Sequence, residues 1–351
     1  MSLKFLTRLD GLAPFLIFPA LSFAAVKLLF GQILYLSGLE EKLNEICDES
    51  ISPDPHPLRL EYTGLLDVDR LLCGVVTFFH ALMDPVYRPL IAEVATFLAA
   101  VSIIPFVEAA REKRSFFLRM PAAVGILFQI MSLAVIMPIY SLVFIVTGAA
   151  GRTARSSDGA RINQANAEAL LFAFSVGYVI PTVCMILFED PIVTAIWQIF
   201  PLMMEVAQFA HRVIRPPSRY IESGYRTVQA TFIFIFVASA VIHAVYVWPL
   251  LRDVQALEKM FVPSLHGPAT SSLVGGVVAF IKWDMIIGGG STVLSTLWMA
   301  NSVTHLISII LWHSTATVLL GPGAAIAGVL LWREAQLNGG NHAVKVERKF
   351  V

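Results

Sequence analysis

The sequence predicts an all-α fold: a polytopic transmembrane helical bundle of about eight to nine spans, forming one integral membrane domain over residues 1–351. Three observations carry this. First, 57% of the residues are hydrophobic and only 14% are charged, where a soluble domain carries about 25% charged residues. The mean hydropathy is +0.73. Second, the apolar runs are of helix length, and about 20 apolar residues cross the hydrocarbon core. Third, the alternation over about ten residues that marks a barrel strand is missing. In lipid every backbone N–H must be satisfied within its own segment, which helices achieve.

The first span is expected over Leu12–Leu36, long enough to be retained rather than cleaved. A polar loop follows over residues 37–70, acidic at Glu40, Glu41, Glu45, Asp48, Glu49 and Asp54 and rich in proline near Pro53–Pro57. A connector of that length suggests function. Leu71–Val107 is apolar except at Asp84, Arg88 and Glu93, with natural breaks at Asp84-Pro85 and Arg88-Pro89. Met120–Val146 comes next, with a kink expected at Pro138. Further runs are Ala169–Phe188, Ile192–Ala210, Val228–Leu251, Ser272–Ile287, Thr292–Leu311 and Thr315–Trp332, before a polar tail over 335–351. Gly288-Gly289-Gly290 lies at bilayer depth, which fits a bend or close helix packing better than a phosphate loop.

Net charge is zero and no dense Lys/Arg tract exists, so nucleic acid is not an expected partner. The three cysteines, Cys47, Cys73 and Cys184, form no CxxC, and neither a disulfide nor a cysteine metal site is expected. Arg152, Arg155, Arg161, Arg212, Arg215, Arg219, Arg226 and the tail fall on one side, which the positive-inside rule makes cytosolic. The turn Arg111–Arg119 is then expected on the other side, against the rule.

Ionisable groups inside spans are expensive and tend to face a cavity or a partner. Asp84 and Arg88 are four apart and could pair on one helical face. Glu108 and Arg111 form either an interfacial salt bridge or a general acid tuned by its neighbour. Gln198, Glu205 and Gln208 share a face, as cavity lining or as helix–helix glue. Asp284 is too short to reach the interface and needs a partner, a proton or water. His243, His305 and His313 read more simply as packing histidines. No DDxxD, HExxH, GxSxG or P-loop is present.

Several short motifs occur in order. Val68-Asp69, Thr77-Phe78-Phe79 and Asp84 resemble a "VD…L…V.FF…LD" opening. Glu108 and Arg111 resemble "E..R", and Ala169-Leu170 with Gly177-Tyr178-Val179-Ile180-Pro181 resembles "AL…..GY.LP". Trp197-Gln198 with Phe200-Pro201 resembles "WQ.FP". Phe280 and Trp283-Asp284 resemble "F.QWD", with Lys282 in place of the usual Gln, and Gly321-Pro322-Gly323 with Trp332 resembles "GPG…..W". Over about residues 65–335 the chain thus resembles a family of fungal multi-span proteins of secondary metabolism. That family includes the transmembrane terpene cyclases of meroterpenoid routes such as those to ascochlorin and ascofuranone.

The resemblance implies cyclisation, in the membrane, of a lipophilic prenylated small molecule, often bearing a terminal epoxide. Such chemistry needs an acid, a cavity that folds the chain and an end to the cation, with no cofactor and no metal. The expected acids are Glu108, Glu205 and Asp284, with Asp84 behind them. The expected substrate-binding residues are Arg111, Gln198, Trp197, Tyr178, Trp283 and Phe79, the aromatic faces serving a cation. Glu205, Gln198, Asp284 and the Glu108/Arg111 pair are expected to line one intramembrane cavity, in part or whole. The expected location is the endoplasmic reticulum membrane. The competing readings are a transporter or a membrane scaffold for pathway enzymes, and a metal-dependent prenyltransferase. Paired broken repeats, which would favour a transporter, do not stand out.

Overall fold

A computed structural model describes residues 3–151, 161–264 and 272–347. Among them the regular structure is helical, apart from one isolated bridge between Asn163 and Ser223. The first half contains α1 (Leu3–Ala25), α2 (Leu39–Cys47), α3 (Leu66–Leu82), α4 (Arg88–Ala109), α5 (Pro121–Met131), α6 (Leu133–Val146), α7 (Gln164–Phe174) and α8 (Ile180–Phe188). The second contains α9 (Pro191–Trp197), α10 (Phe200–Ile214), α11 (Tyr225–Tyr246), α12 (Val254–Phe261), α13 (Leu273–Asp284), α14 (Gly290–Thr296), α15 (Val303–Leu320) and α16 (Pro322–Glu347). The polar tail expected from 335 continues α16 as far as Glu347. Arg152, Arg155, Arg348 and Lys349 lie outside the described residues.

Among the described residues, six helical stretches are long and apolar enough to cross a membrane: Gly11–Leu36, Pro85–Ala109, Gln164–Phe188, Tyr225–Tyr246, Leu273–Met299 and Val303–Leu320. The pair Pro191–Trp197 and Phe200–Ile214, bent by 63°, raises this to seven at most. Both figures fall short of the expected eight to nine, for local reasons. The run Met120–Val146 breaks at Ser132, where φ is 75°, into helices of 11 and 14 residues. Pro138, the expected kink, sits inside α6. α3 reaches only 17 residues. Gly288-Gly289-Gly290 does not end a span: a π-helical turn, Met285–Gly289, carries α13 into α14. The chain instead breaks at residues 300–302 and at Gly321, whose φ of 90° suits glycine.

Hydrogen bonds fix which helix ends lie together. α4 starts where α11 and α15 finish, because Glu93 meets His243 and His243 meets the carbonyl of Val318. α4 finishes against α16 and the end of α6, because Arg333 bonds both Glu108 and the carbonyl of Ala149. Phe232, in the first half of α11, lies beside that cluster. Beyond it Gln164 N–H donates to Glu222 O, and Glu168 pairs with Arg215. Arg111 and Arg114 therefore share one end of the bundle with Arg161 and Arg215, correcting the placement of the Arg111–Arg119 turn on the opposite side.

At the other end, residues 37–70 fold into α2 and the start of α3. Cys47 and Cys73 form a disulfide, with Cα atoms 5.7 Å apart, joining α2 to α3. This corrects the expectation of free cysteines. A separation of 26 residues carries no motif, and only the return of α3 past α2 brings the two sulfurs together. Arg70 pairs with Asp48 at 2.9 Å across the same corner.

Candidate active site

Asp284 ends α13 and faces a cavity of about 450 Å³. Its Oδ1 accepts the backbone N–H of Ala134 at 2.7 Å. That N–H belongs to the first turn of α6, where the break at Ser132 leaves it without an intrahelical carbonyl. Gly288 permits the approach: a Cβ there would lie 3.0 Å from Leu133 and 3.1 Å from the Ala134 nitrogen. Since Oδ1 accepts, a proton carried by this carboxyl group sits on Oδ2.

The chamber wall is aromatic. Phe30 and Phe280 meet with ring centroids 6.0 Å apart, Phe280 and Phe78 at 5.2 Å, and Phe78 and Phe79 at 6.0 Å, all edge to face. Phe79 continues to Trp197 at 4.8 Å. Phe128 closes the side beside Gln129 and Ser132. The mouth is polar, formed by Glu40 and Asn44 of α2 and Asp67 and Arg70 of α3. The chamber thus grades from a hydrated, charged rim to rings and one carboxyl group. Ring faces attract cations, and an apolar enclosure excludes water from a reactive intermediate.

Of the expected acids, only Asp284 faces this chamber. Glu108 lies in a separate, saturated ion cluster. Arg333 Nη1 donates to Glu108 Oε1 at 2.7 Å, Arg111 Nε to the same oxygen at 2.9 Å, and Arg114 Nη2 to Oε2 at 2.8 Å. Arg111 also pairs with Glu334. The space beside the cluster admits no water-sized molecule. Arg114 sits below its ordinary pKa because burial disfavours its charge, although Glu108 opposes this. Glu108 and Arg111 therefore brace helices, and the expectation that they share a cavity with Asp284 does not hold. Arg333 and Glu334 carry no local mark of this role, because they sit where an apolar run gives way to polar residues.

The remaining candidates spread out. Asp84 is exposed and caps the turn after α3 through the Val86 N–H at 2.9 Å, so it forms no intramembrane pair with Arg88. Glu205 lies on α10, outside this chamber, and Gln208 on the same helix accepts from Arg212 at 2.7 Å. Gln198 stands behind the wall: its side chain donates to Thr194 O and its carbonyl accepts from Gln129. Trp197 is buried, with Nε1 donating to Thr182 at 2.9 Å. Tyr178 donates to Ala95 O at 2.6 Å and stacks on Phe174, away from the chamber. Trp283 packs against the core beside Asp284 without lining the cavity. Phe79 alone of the expected binding residues lines it, joined by Phe30, Phe78, Phe128 and Phe280. Among the described residues, no three His, Cys, Asp or Glu side chains gather to hold a metal ion.

These features define an all-α protein with long apolar helices and a half-buried carboxyl group beside an aromatic chamber. A family model described as the CtvD domain matches residues 13–337, and the chain belongs to that family. Among its relatives, terpene cyclase ctvD of Aspergillus terreus is 27% identical over 325 residues, covering 85% of this chain and 92% of the relative. Terpene cyclase DEP1 of Alternaria brassicicola is 24% identical, covering 86% and 94%. Terpene cyclase ascI of Acremonium egyptiacum is 26% identical, covering 79% of each. No solved structure matches the chain.

Proposed function

We propose that the chain is a membrane-bound terpene cyclase that starts cyclisation by protonating its substrate from Asp284. The observation that carries this is a carboxyl group, fixed by the Ala134 N–H, at the wall of a chamber of phenylalanine rings. The names of the three relatives agree with the class of reaction. In this reading the prenyl tail enters the chamber and its polar head stays at the rim of α2 and α3. The Oδ2 proton passes to an epoxide oxygen, the carbon–oxygen bond opens, and the carbon takes up positive charge. Alkene electron pairs then close the rings, and loss of a proton ends the sequence, so the product is an isomer of the substrate. The rings of Phe78, Phe79 and Phe280 face the travelling charge.

The same reading orients the protein. The arginine-rich end faces the cytosol by the positive-inside rule. The opposite end, with the Cys47–Cys73 disulfide, faces an oxidising lumen, as in the endoplasmic reticulum. The chamber mouth lies at that disulfide-bonded corner.

Membranes containing the chain, incubated with epoxy-prenyl phenols, test the reading. Isomerised, cyclic product is expected, undiminished by EDTA and lost in Asp284→Asn. Chelator sensitivity reversed by Mg²⁺ would replace the acid mechanism with a metal-dependent one. Substrate movement across vesicles without isomerisation would support a transporter.

A further inference from the structure

A second chamber, of about 680 Å³, lies on the other face of α13. Lys282, Met285 and Gly289 line it, whereas Phe280, Ile281 and Asp284 line the first. Its walls come from α4, α11, α15 and α16, and Leu257 and Phe261 of α12 cover it. Pockets that enclose small organic ligands span about 300–1,000 Å³.

The chamber wall carries a buried titratable pair. His243 Nδ1 is 2.9 Å from Glu93 Oε1, and Nε2 is 3.1 Å from the Val318 carbonyl. A carbonyl only accepts, so Nε2 bears a hydrogen. One proton is then shared between Nδ1 and Oε1, which satisfies the whole imidazole. Glu93 Oε2 has no hydrogen bond among the described residues. Glu93 lines the chamber, and Oε2 is not one of the enclosed polar atoms that lack a partner, so it opens onto that space. A brace between α4 and α11 accounts for Oε1, and Oε2 is left as an acceptor open to the chamber. The other charged residues on the lining are Lys282 and Glu258. Lys282 Nζ is already spent on the carbonyls of Lys259 and Val262, fastening the end of α12 over the chamber. Among the described residues of the lining, no cation without such partners is left for an anionic head group.

We propose that this chamber is a second ligand site, which takes a neutral, hydroxyl-bearing lipophile from the bilayer. The hydroxyl bonds Glu93 Oε2, and the hydrocarbon lies along Phe97, Phe261 and Met285. The site is independent of the cyclase reading, because α13 separates it from Asp284.

Photolabelling of the detergent-solubilised full chain tests it. The probe is farnesol carrying a diazirine, its control is the same chain without the hydroxyl, and labelled peptides are mapped by mass spectrometry. The alcohol is expected to label the peptides of Phe261 and Met285 at least ~10-fold more than the hydrocarbon, a ratio equivalent to one hydrogen bond's worth of selectivity, and excess farnesol removes the label. Glu93→Leu lowers labelling to the hydrocarbon level, and Asp284→Asn leaves it unchanged. Val293→Trp fills the chamber without touching the pair, and abolishes labelling even if Glu93→Leu folds poorly. Equal labelling by alcohol and hydrocarbon, or labelling that survives Val293→Trp, overturns the proposal.

Discussion

Asp284 and Ala134, 150 positions apart, are joined by a 2.7 Å hydrogen bond from backbone to carboxyl. The bond ties the interrupted helix of one segment to the acid of another. It fixes the carboxyl rotamer, so the group's position depends on the Ser132 break as much as on α13. Asp284→Asn is expected to lower turnover by roughly 10²–10⁴, the usual contribution of a general acid. Yield of folded protein should hold, since an amide oxygen can still accept from Ala134. Near-full turnover per folded molecule would remove Asp284 from the mechanism.

Gly288 sets the distance across that bond. Alanine there brings a Cβ to 3.0 Å from Leu133 and asks α6 to give by a few tenths of an ångström. Valine asks for more, and overpacking of this kind typically costs about 1–3 kcal/mol. Gly288→Val should therefore lower thermal stability and turnover together, with Gly288→Ala between it and wild type. A thermal melt and a turnover assay on the same preparations check this ordering.

Glu108→Gln is expected to behave in the opposite way to Asp284→Asn. It leaves Arg111, Arg114 and Arg333 with too little negative charge in a buried place. Breaking such a pair costs about 3–5 kcal/mol. Membrane yield and melting temperature should fall, while turnover per folded molecule stays near normal. A turnover loss with stability intact would return Glu108 to the list of acids.

Removing the disulfide should loosen the rim. Cys47→Ser, or a reductant, frees α2 from α3 and with them the polar mouth of the chamber. A disulfide contributes typically about 2–4 kcal/mol. The expected result is faster hydrogen exchange over Leu39–Cys47 and a raised KM with a smaller change in kcat. A thiol-reactive, membrane-impermeant reagent should reach these cysteines in the reduced protein only from the lumenal side.

The same corner responds to acid. The hydroxyl and N–H of Ser50 hold Asp48 below its ordinary carboxylate pKa, burial opposes them, and Arg70 adds to the lowering. A carboxylate with a lowered folded pKa stabilises the fold above its unfolded value, near about 3.9. That contribution is lost as pH falls through the lower, folded value. Rim exchange should therefore rise below roughly pH 4, and Asp48→Asn should flatten the response. An unchanged profile in that variant would assign the acid sensitivity elsewhere.

The apolar runs made the helical architecture legible, and the scarcity of charged residues in helix-length stretches placed α4, α7–α8 and α11 closely. Breaks that depend on packing were harder to read. Ser132 offers no proline or glycine signal, whereas Pro138 offers one and lies in continuous helix. Asp284 stands out in the sequence because a carboxyl group in an apolar run needs a partner, and Phe79 because it belongs to the Thr77-Phe78-Phe79 motif; the fold brings both to one chamber. Glu108 had the same signature and a different role. Only the arrival of Arg333 from α16 tells the two apart, and contacts between distant segments leave no local mark. The Cys47–Cys73 disulfide leaves no local mark for the same reason.

The braces around Glu108 bear on how the protein is made. Arg333 comes 225 positions after Glu108, and Glu334 comes 223 after Arg111. A ribosome thus delivers the end of α4 before Glu108 can meet Arg333 or Arg111 can meet Glu334, and these partners emerge when nearly all the chain has been synthesised. Until then the early helices have a reason to stay with the insertion machinery rather than disperse into lipid. A chain ended before Arg333 is expected to be inserted, remain bound by chaperones and be degraded, with every residue of the Asp284 chamber present.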